Sequence, residues 1–121
     1  MSRPTPLPGR PVRGSRSGRP VMALLDLLGR RWTLRLLWEL QEGPLGARAI
    51  LARCAGLSSS VLYRRLRELE TAGLLAKDAD DAYGLTAIGA EVGETIAPLN
   101  SWSKRWAQAV PGAWGADDEL G

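Results

Sequence analysis

Apolar residues return every three or four positions along several stretches of the chain, and each stretch is bounded by residues that start or stop helices. Pro20 suits a first helical position, and Val21, Leu24, Leu25 and Leu28 follow on one face before Gly29. From Arg31 to Glu42, the residues Trp32, Leu36, Leu37 and Leu40 make a second apolar stripe, which Gly43 and Pro44 end. A third segment places Ala47, Ile50, Leu51 and Cys54 on one side and Arg48 and Arg53 elsewhere. Gly56 then permits a tight turn. The fourth helix opens on Ser58, a good N-cap, and runs to Ala72, with Gly73 at its stop.

Beyond Gly73 the pattern changes. The segment LLAKDADDAYGLT has short apolar ends around an Asp-rich centre, which predicts a small β-hairpin. Thr86 can cap a last helix in which Ile88, Val92, Ile96 and Leu99 recur, extending to Trp102 and Trp106. Pro98 lies inside that pattern and is expected to kink or interrupt it. Two helices joined by a glycine-containing turn and followed by a hairpin predict a mainly α fold with a small β-hairpin wing, a winged helix-turn-helix.

The fourth helix carries the candidate chemistry. At about 100° per residue, Leu62, Leu66 and Leu69 fall on one side, and Ser60, Tyr63, Arg64, Arg67 and Thr71 gather opposite them. Arginine offers a bidentate fork to guanine, while serine hydroxyls and the helix N-terminus suit phosphates. The candidate DNA-contacting residues are therefore Ser58, Ser59, Ser60, Tyr63, Arg64, Arg65 and Arg67, with Arg48 on the preceding helix and Lys77 on the wing. The same amphipathic pattern also describes a merely solvated helix. It is the preceding helix and turn, and the hairpin after it, that favour major-groove docking.

Composition narrows the alternatives. A chain of 121 residues, 45% of them hydrophobic, supports one compact core. It has no histidine and one cysteine, so metal sites and histidine-based catalysis lose their commonest residue, and an intramolecular disulfide cannot form. No catalytic constellation, metal site or cofactor is expected. With no apolar run of about 18 residues, the expectation is a protein of the cytoplasm without a membrane span. The formal charge of +3 conceals an asymmetry: residues 1–19 hold Arg3, Arg10, Arg13, Arg16 and Arg19 and no acid, leaving the remainder net acidic. Residues 1–19 are expected as a disordered basic arm that neutralises phosphates or merely aids solubility, 20–110 as the folded domain, and 111–121 as a flexible acidic tail.

Several stretches resemble a known family. RPVMALLDLLGRRWTLRLLWEL, GLSSSVLYRRLRELETAGLL and YGLTAIGAEV are similar to the HxlR-type regulators, with MarR-type regulators as more distant relatives, over residues 19–106. The most specific elements are the Gly-x-x-Trp-Thr step at Gly29–Thr33, the leucine spacing of the fourth helix, and Leu-Thr-x-x-Gly at Leu85–Gly89. The resemblance implies a homodimer joined through its first and last helices, reading a palindromic operator in double-stranded DNA as a repressor or activator. Val21, Leu24, Leu25, Leu28, Ile96, Leu99, Trp102 and Trp106 are the candidate interface. Trp102 and Trp106 alternatively line a site for a small planar or apolar effector.

The chain also departs from that family. Arg19 stands where family members often place a sensing cysteine, Lys77 is the only cation of a wing rich in aspartate, and Ala47 replaces an aromatic. Cys54, on an apolar face, reads as a small buried hydrophobe and not as a redox switch. Two other functions stay open: a nucleoid-type binder without sequence preference, and a winged-helix module that binds an acidic protein.

Overall fold

The computed structural model describes residues 3–112. Its elements are α1 (Pro20–Leu28), α2 (Thr33–Glu39) running into a 3-10 turn (Leu40–Glu42), β1 (Leu45–Gly46), α3 (Ala47–Arg53), α4 (Ser59–Thr71), β2 (Leu75–Lys77), β3 (Ala82–Leu85) and α5 (Ala87–Ala109). The fold is a winged helix-turn-helix. The hairpin predicted from the sequence gains a third strand: β1 pairs antiparallel with β3, which pairs antiparallel with β2. Two residues are too few to carry an alternating pattern, so β1 left no periodic signal.

One core unites these elements. Leu36, Leu37 and Leu40 from α2 and its 3-10 turn meet Ile50 and Cys54, then Leu62, Leu66 and Leu69 of α4, with Leu74, Leu75 and Tyr83 from the wing side. The apolar stripes of α2, α3 and α4 thus face one another, as their periodicity requires.

Three local expectations are corrected. Trp32 is not part of the helix stripe: it caps the N-terminus of α2 at φ 77, half-buried against the core, because Thr33 N–H closes a turn onto the Arg30 carbonyl at 3.1 Å. Positive φ in a non-glycine residue is a property of the turn and leaves no mark in helical periodicity. Pro98 does not interrupt α5, which spans Ala87–Ala109 with the proline inside. Its ring withholds one amide donor from the ladder.

The third correction concerns the arm. Described from Arg3 onward, it folds back on itself and on α1 instead of trailing free. Gly9 N–H donates to the Gly18 carbonyl at 2.9 Å, and Val12 and Ser15 exchange hydrogen bonds around Gly14 at φ 82. Gly18, buried at φ 72, has no room for a side chain, since a Cβ there would lie 2.2 Å from the Arg10 carbonyl oxygen. Pro6 is buried, Arg3 pairs with Asp26 at 3.8 Å, and Asp26 also accepts from Arg13 N–H at 3.3 Å. Backbone turns and one proline thus supply the ordering that composition alone did not suggest. Most of the acidic tail lies outside the described residues.

Candidate nucleic-acid interface

The candidate recognition element is built from α3, a turn and α4. Cys54 N–H still donates to the Ile50 carbonyl at 3.1 Å, Leu57 N–H closes onto Cys54 at 3.0 Å, and Gly56 takes φ 92 between them. Leu57 is buried and anchors the turn. Ser58 then caps α4, its Oγ accepting from Val61 N–H at 3.2 Å, as expected from the sequence.

The two faces of α4 separate cleanly. Leu62, Leu66 and Leu69 are fully buried, while Ser59, Ser60, Tyr63, Arg64 and Arg67 are exposed together with the capping Ser58. The helix is 13 residues long, about 20 Å at its usual rise, and a helix of that width enters the major groove. Arg48 is exposed on α3. An exposed cationic, hydrogen-bonding helix face backed by a buried apolar one has the groups to contact base edges and phosphates at once.

Two of the candidate cations are placed differently. Arg65 turns toward the start of α2, its Nε donating to the Arg31 carbonyl at 2.7 Å and its guanidinium pairing with Glu68 at 2.9 Å. With its side chain only 14% exposed, it holds α4 in place and leaves the outward face to its neighbours. Lys77 sits beside Asp81 at 3.6 Å. The wing tip is closed by Asp78, whose Oδ1 accepts from Asp80 N–H at 2.8 Å and Ala82 N–H at 3.0 Å, so it presents carboxylates where a basic tip would approach DNA.

Sequence reasoning missed the anchor beneath this surface. Glu68 is buried between two guanidiniums, those of Arg30 and Arg65, and Arg30 also donates to the Pro4 carbonyl at 2.7 Å. The Arg65 partner sits three residues away on the same helix, a detectable spacing, but nothing local ties Arg30 to Glu68. A second cluster fixes α3: Arg35 bonds Glu39 at 2.8 Å and the Arg53 carbonyl at 2.9 Å, satisfying one carbonyl at the helix end. Cys54 beside it is buried, and desolvation pushes its thiol above the ordinary value, a shift that Glu39 reinforces and Arg35 and Arg53 oppose.

Residues 27–111, the greater part of the chain, match the family model described as HxlR-like helix-turn-helix. The chain belongs to that family. Among curated relatives, it is 32% identical over 93 residues to the HTH-type transcriptional regulator MJ0925 of Methanocaldococcus jannaschii, covering 73% of this chain and 86% of the relative. It is 30% identical over 95 residues to the HTH-type transcriptional regulator sll1512 of Synechocystis, covering 74% and 70%. A possible HxlR family transcriptional factor from Thermoplasma volcanium superposes with a TM-score of 0.64 at 27% identity, covering 74% of this chain and 85% of that one. Quinone-bound YodB from Bacillus subtilis shares the fold, with a TM-score of 0.69 at 24% identity over 71% of this chain and 97% of YodB. Relatives of this HxlR-like chain are transcription regulators and not enzymes, and DNA-binding transcription regulation is the activity the family carries.

The entry to α5 has a physical reason in this chain. In the Leu-Thr-x-x-Gly element, Thr86 caps α5 by accepting from Gly89 N–H at 3.1 Å and donates to the Gly73 carbonyl at 2.6 Å. A Cβ on Gly89 would fall 2.1 Å from the Leu74 carbonyl oxygen, so only glycine lets α5 approach the wing that closely.

The candidate interface residues divide. Val21, Leu25, Leu99, Trp102 and Trp106 are each more than 50% exposed, whereas Leu24, Leu28 and Ile96 are half-buried and Leu28 packs against this chain's own core. Trp102 and Trp106 stack on each other with centroids 6.2 Å apart and planes 6° from parallel. No described helix is long and apolar enough to cross a membrane.

Proposed function

We propose that this chain is a sequence-specific regulator that lays α4 in the major groove of a palindromic operator and acts as a homodimer through α1 and α5. The observation that carries the reading is the outward face of α4: Tyr63, Arg64 and Arg67 exposed on a helix whose opposite face is fully buried. At least one of Arg64 and Arg67 reads a base edge, Ser58 to Ser60 and Arg48 are the phosphate contacts, and Lys77 is a minor one because Asp81 shares its charge. Dimerisation is supported by the large apolar side chains left in water along α1 and α5, which a lone domain of this size has little reason to expose.

A small planar or apolar effector fits the same reading. YodB has been solved with a quinone bound. In this chain an apolar cavity of about 220 Å³ lies between Pro6, Ala23, Leu27, Leu74 and Val92, whereas Trp102 and Trp106 stack on one another on the exposed side of α5.

Selection of bound fragments from random duplex DNA tests the central proposal. The expected product is a two-fold symmetric motif with half-sites about 34 Å apart, or a multiple of it. Replacing Arg64 or Arg67 by alanine should cost about 1 to 3 kcal/mol on the operator and relax one base pair per half-site for at least one of them. Recovery of no motif at all would favour the nucleoid-type binder, and failure to bind any duplex would favour the protein-interaction module.

A further inference from the structure

Where the folded arm passes the recognition helix, the two elements share a cleft. It has a volume of about 340 Å³ and is lined by Arg3 and Arg13 from the arm, Arg30 and Arg31 from the α1–α2 turn, Arg64 and Arg65 from α4, and a single carboxylate, Glu68. Glu68 is spent on Arg30 and Arg65. Asp26, outside the cleft, reaches Arg3 only at 3.8 Å, and that guanidinium remains 52% exposed. Arg30 is buried, yet its Nε has no hydrogen-bond partner. Six arginines line the cleft with one carboxylate that reaches only two of them. Although the Arg31 guanidinium also lies over the Trp32 ring at 6.0 Å, their charges repel one another unless an anion joins them, and buried polar groups are normally paired. The charge therefore lacks its complement.

The geometry points to a DNA phosphate as that complement: the cleft seats one phosphodiester of the duplex between Arg3, Arg13, Arg31 and Arg64, making the folded arm a second DNA-contacting element beside α4. This deepens the reading of α4 as the recognition helix and rests on it for the source of the phosphate. Arg64 belongs both to the outward face of α4 and to the cleft wall, so a strand followed by α4 runs past the arm. Arginine forks match phosphate oxygens in bidentate geometry, and several around one site exceed what a surface lysine provides. Phosphate contacts fix register without reading sequence. The cleft thus places the helix, and the outward residues of α4 choose the bases.

The test compares two pairs of arm substitutions that remove the same charge. In the full chain, Arg3→Gln with Arg13→Gln empties the arm side of the cleft, and Arg16→Gln with Arg19→Gln changes arginines outside it. Arg31→Gln, which leaves the arm untouched, guards against a folding defect in the first pair, and thermal midpoints check all three. Binding to the selected operator and to a scrambled duplex is measured from 50 to 200 mM salt. The cleft pair and Arg31→Gln should each lower the log–log salt slope by about 0.9 for each chain bound, shrinking the affinity drop across that range about 3.5-fold per chain. They should weaken operator and scrambled duplex alike, and the control pair should do neither. Equal slopes for the two pairs would make the arm a diffuse charge and overturn the cleft. Should the wild type select no sequence while the cleft variants still lose slope on the scrambled duplex, the phosphate seat stands and the base-reading role of α4 falls. Calorimetry of the DNA-free protein with pyrophosphate decides the source of the anion. No saturable heat is expected, and saturation at micromolar concentration would assign the cleft to a free anion and overturn the duplex.

Discussion

Replacing Glu68 by glutamine keeps the shape of the buried side chain and removes the carboxylate that pairs with both Arg30 and Arg65. The side chains of Glu68 and Arg30 are 8% and 6% exposed, so water cannot take over the role of the carboxylate. Removing one partner of a buried ion pair typically destabilises by about 3 to 5 kcal/mol. Two features reduce that here: Arg65 is somewhat more exposed and keeps the Arg31 carbonyl, and a glutamine oxygen still accepts one neutral hydrogen bond. We expect a loss of about 2 to 3 kcal/mol, which for a domain of this size lowers the thermal midpoint by roughly 10 °C or more. Urea unfolding at fixed protein concentration measures it, with the slope m checked for constancy. Arg30→Met should be costly alone, and the double variant should cost at least about 1 kcal/mol less than the two singles added. A loss under about 0.5 kcal/mol for Glu68→Gln, or strict additivity in the cycle, would show that the cluster does not hold α4 in place.

Gly89→Ala should destabilise by about 3 kcal/mol or more by forcing α5 off the Leu74 carbonyl, measured by the same urea titration, whereas Gly43→Ala, with open space around its Cβ, serves as a strain-only comparison at φ 146. Cys54→Ala should leave operator release unaffected by diamide or quinones, and a response present in wild type but lost in the variant would make the thiol a sensor. Because burial raises the Cys54 pKa, the folded state favours the protonated thiol. Its contribution to stability is therefore intact below the unfolded thiol value of about 8.5 and declines as pH rises toward the folded one, a slope that Cys54→Ala should flatten. Trp102→Ala with Trp106→Ala should shift sedimentation toward monomer at micromolar concentration, and an unchanged dimer would place the interface elsewhere.

How much of this was legible in the sequence depends on how local each cause is. Ser58 and Thr86 cap the helices they precede through their own hydroxyls, and the spacing of Leu62, Leu66 and Leu69 follows from the helix period, so α4, its buried face and the start of α5 could be read directly. The outward positions of Tyr63, Arg64 and Arg67 followed by geometry from those leucines. Trp32 was misplaced because a positive φ is set by the turn around it, and β1 went unseen because its strand character exists only through pairing with β3. Arg65 was counted among the DNA contacts for its charge, but on a helical wheel it lies beside the leucine face, where Glu68 and the Arg31 carbonyl engage it.

The arm was the largest misjudgement, and its cause bears on how it should be tested. Composition counted its arginines correctly as charge and missed that Arg30, in the Gly-x-x-Trp-Thr step, holds the Pro4 carbonyl while pairing with Glu68 on α4. One guanidinium therefore joins the arm to α4. Deleting residues 1–19 would strip the cleft of Arg3 and Arg13, but it would also remove the buried Pro6 and leave Arg30 without one of its two partners. A truncated protein that bound DNA poorly could have lost phosphate contacts, the seating of α4, or both. Side-chain substitutions at Arg3 and Arg13 separate these effects, because the contact to Arg30 comes from the Pro4 backbone and survives them, leaving charge at the cleft as the main thing changed.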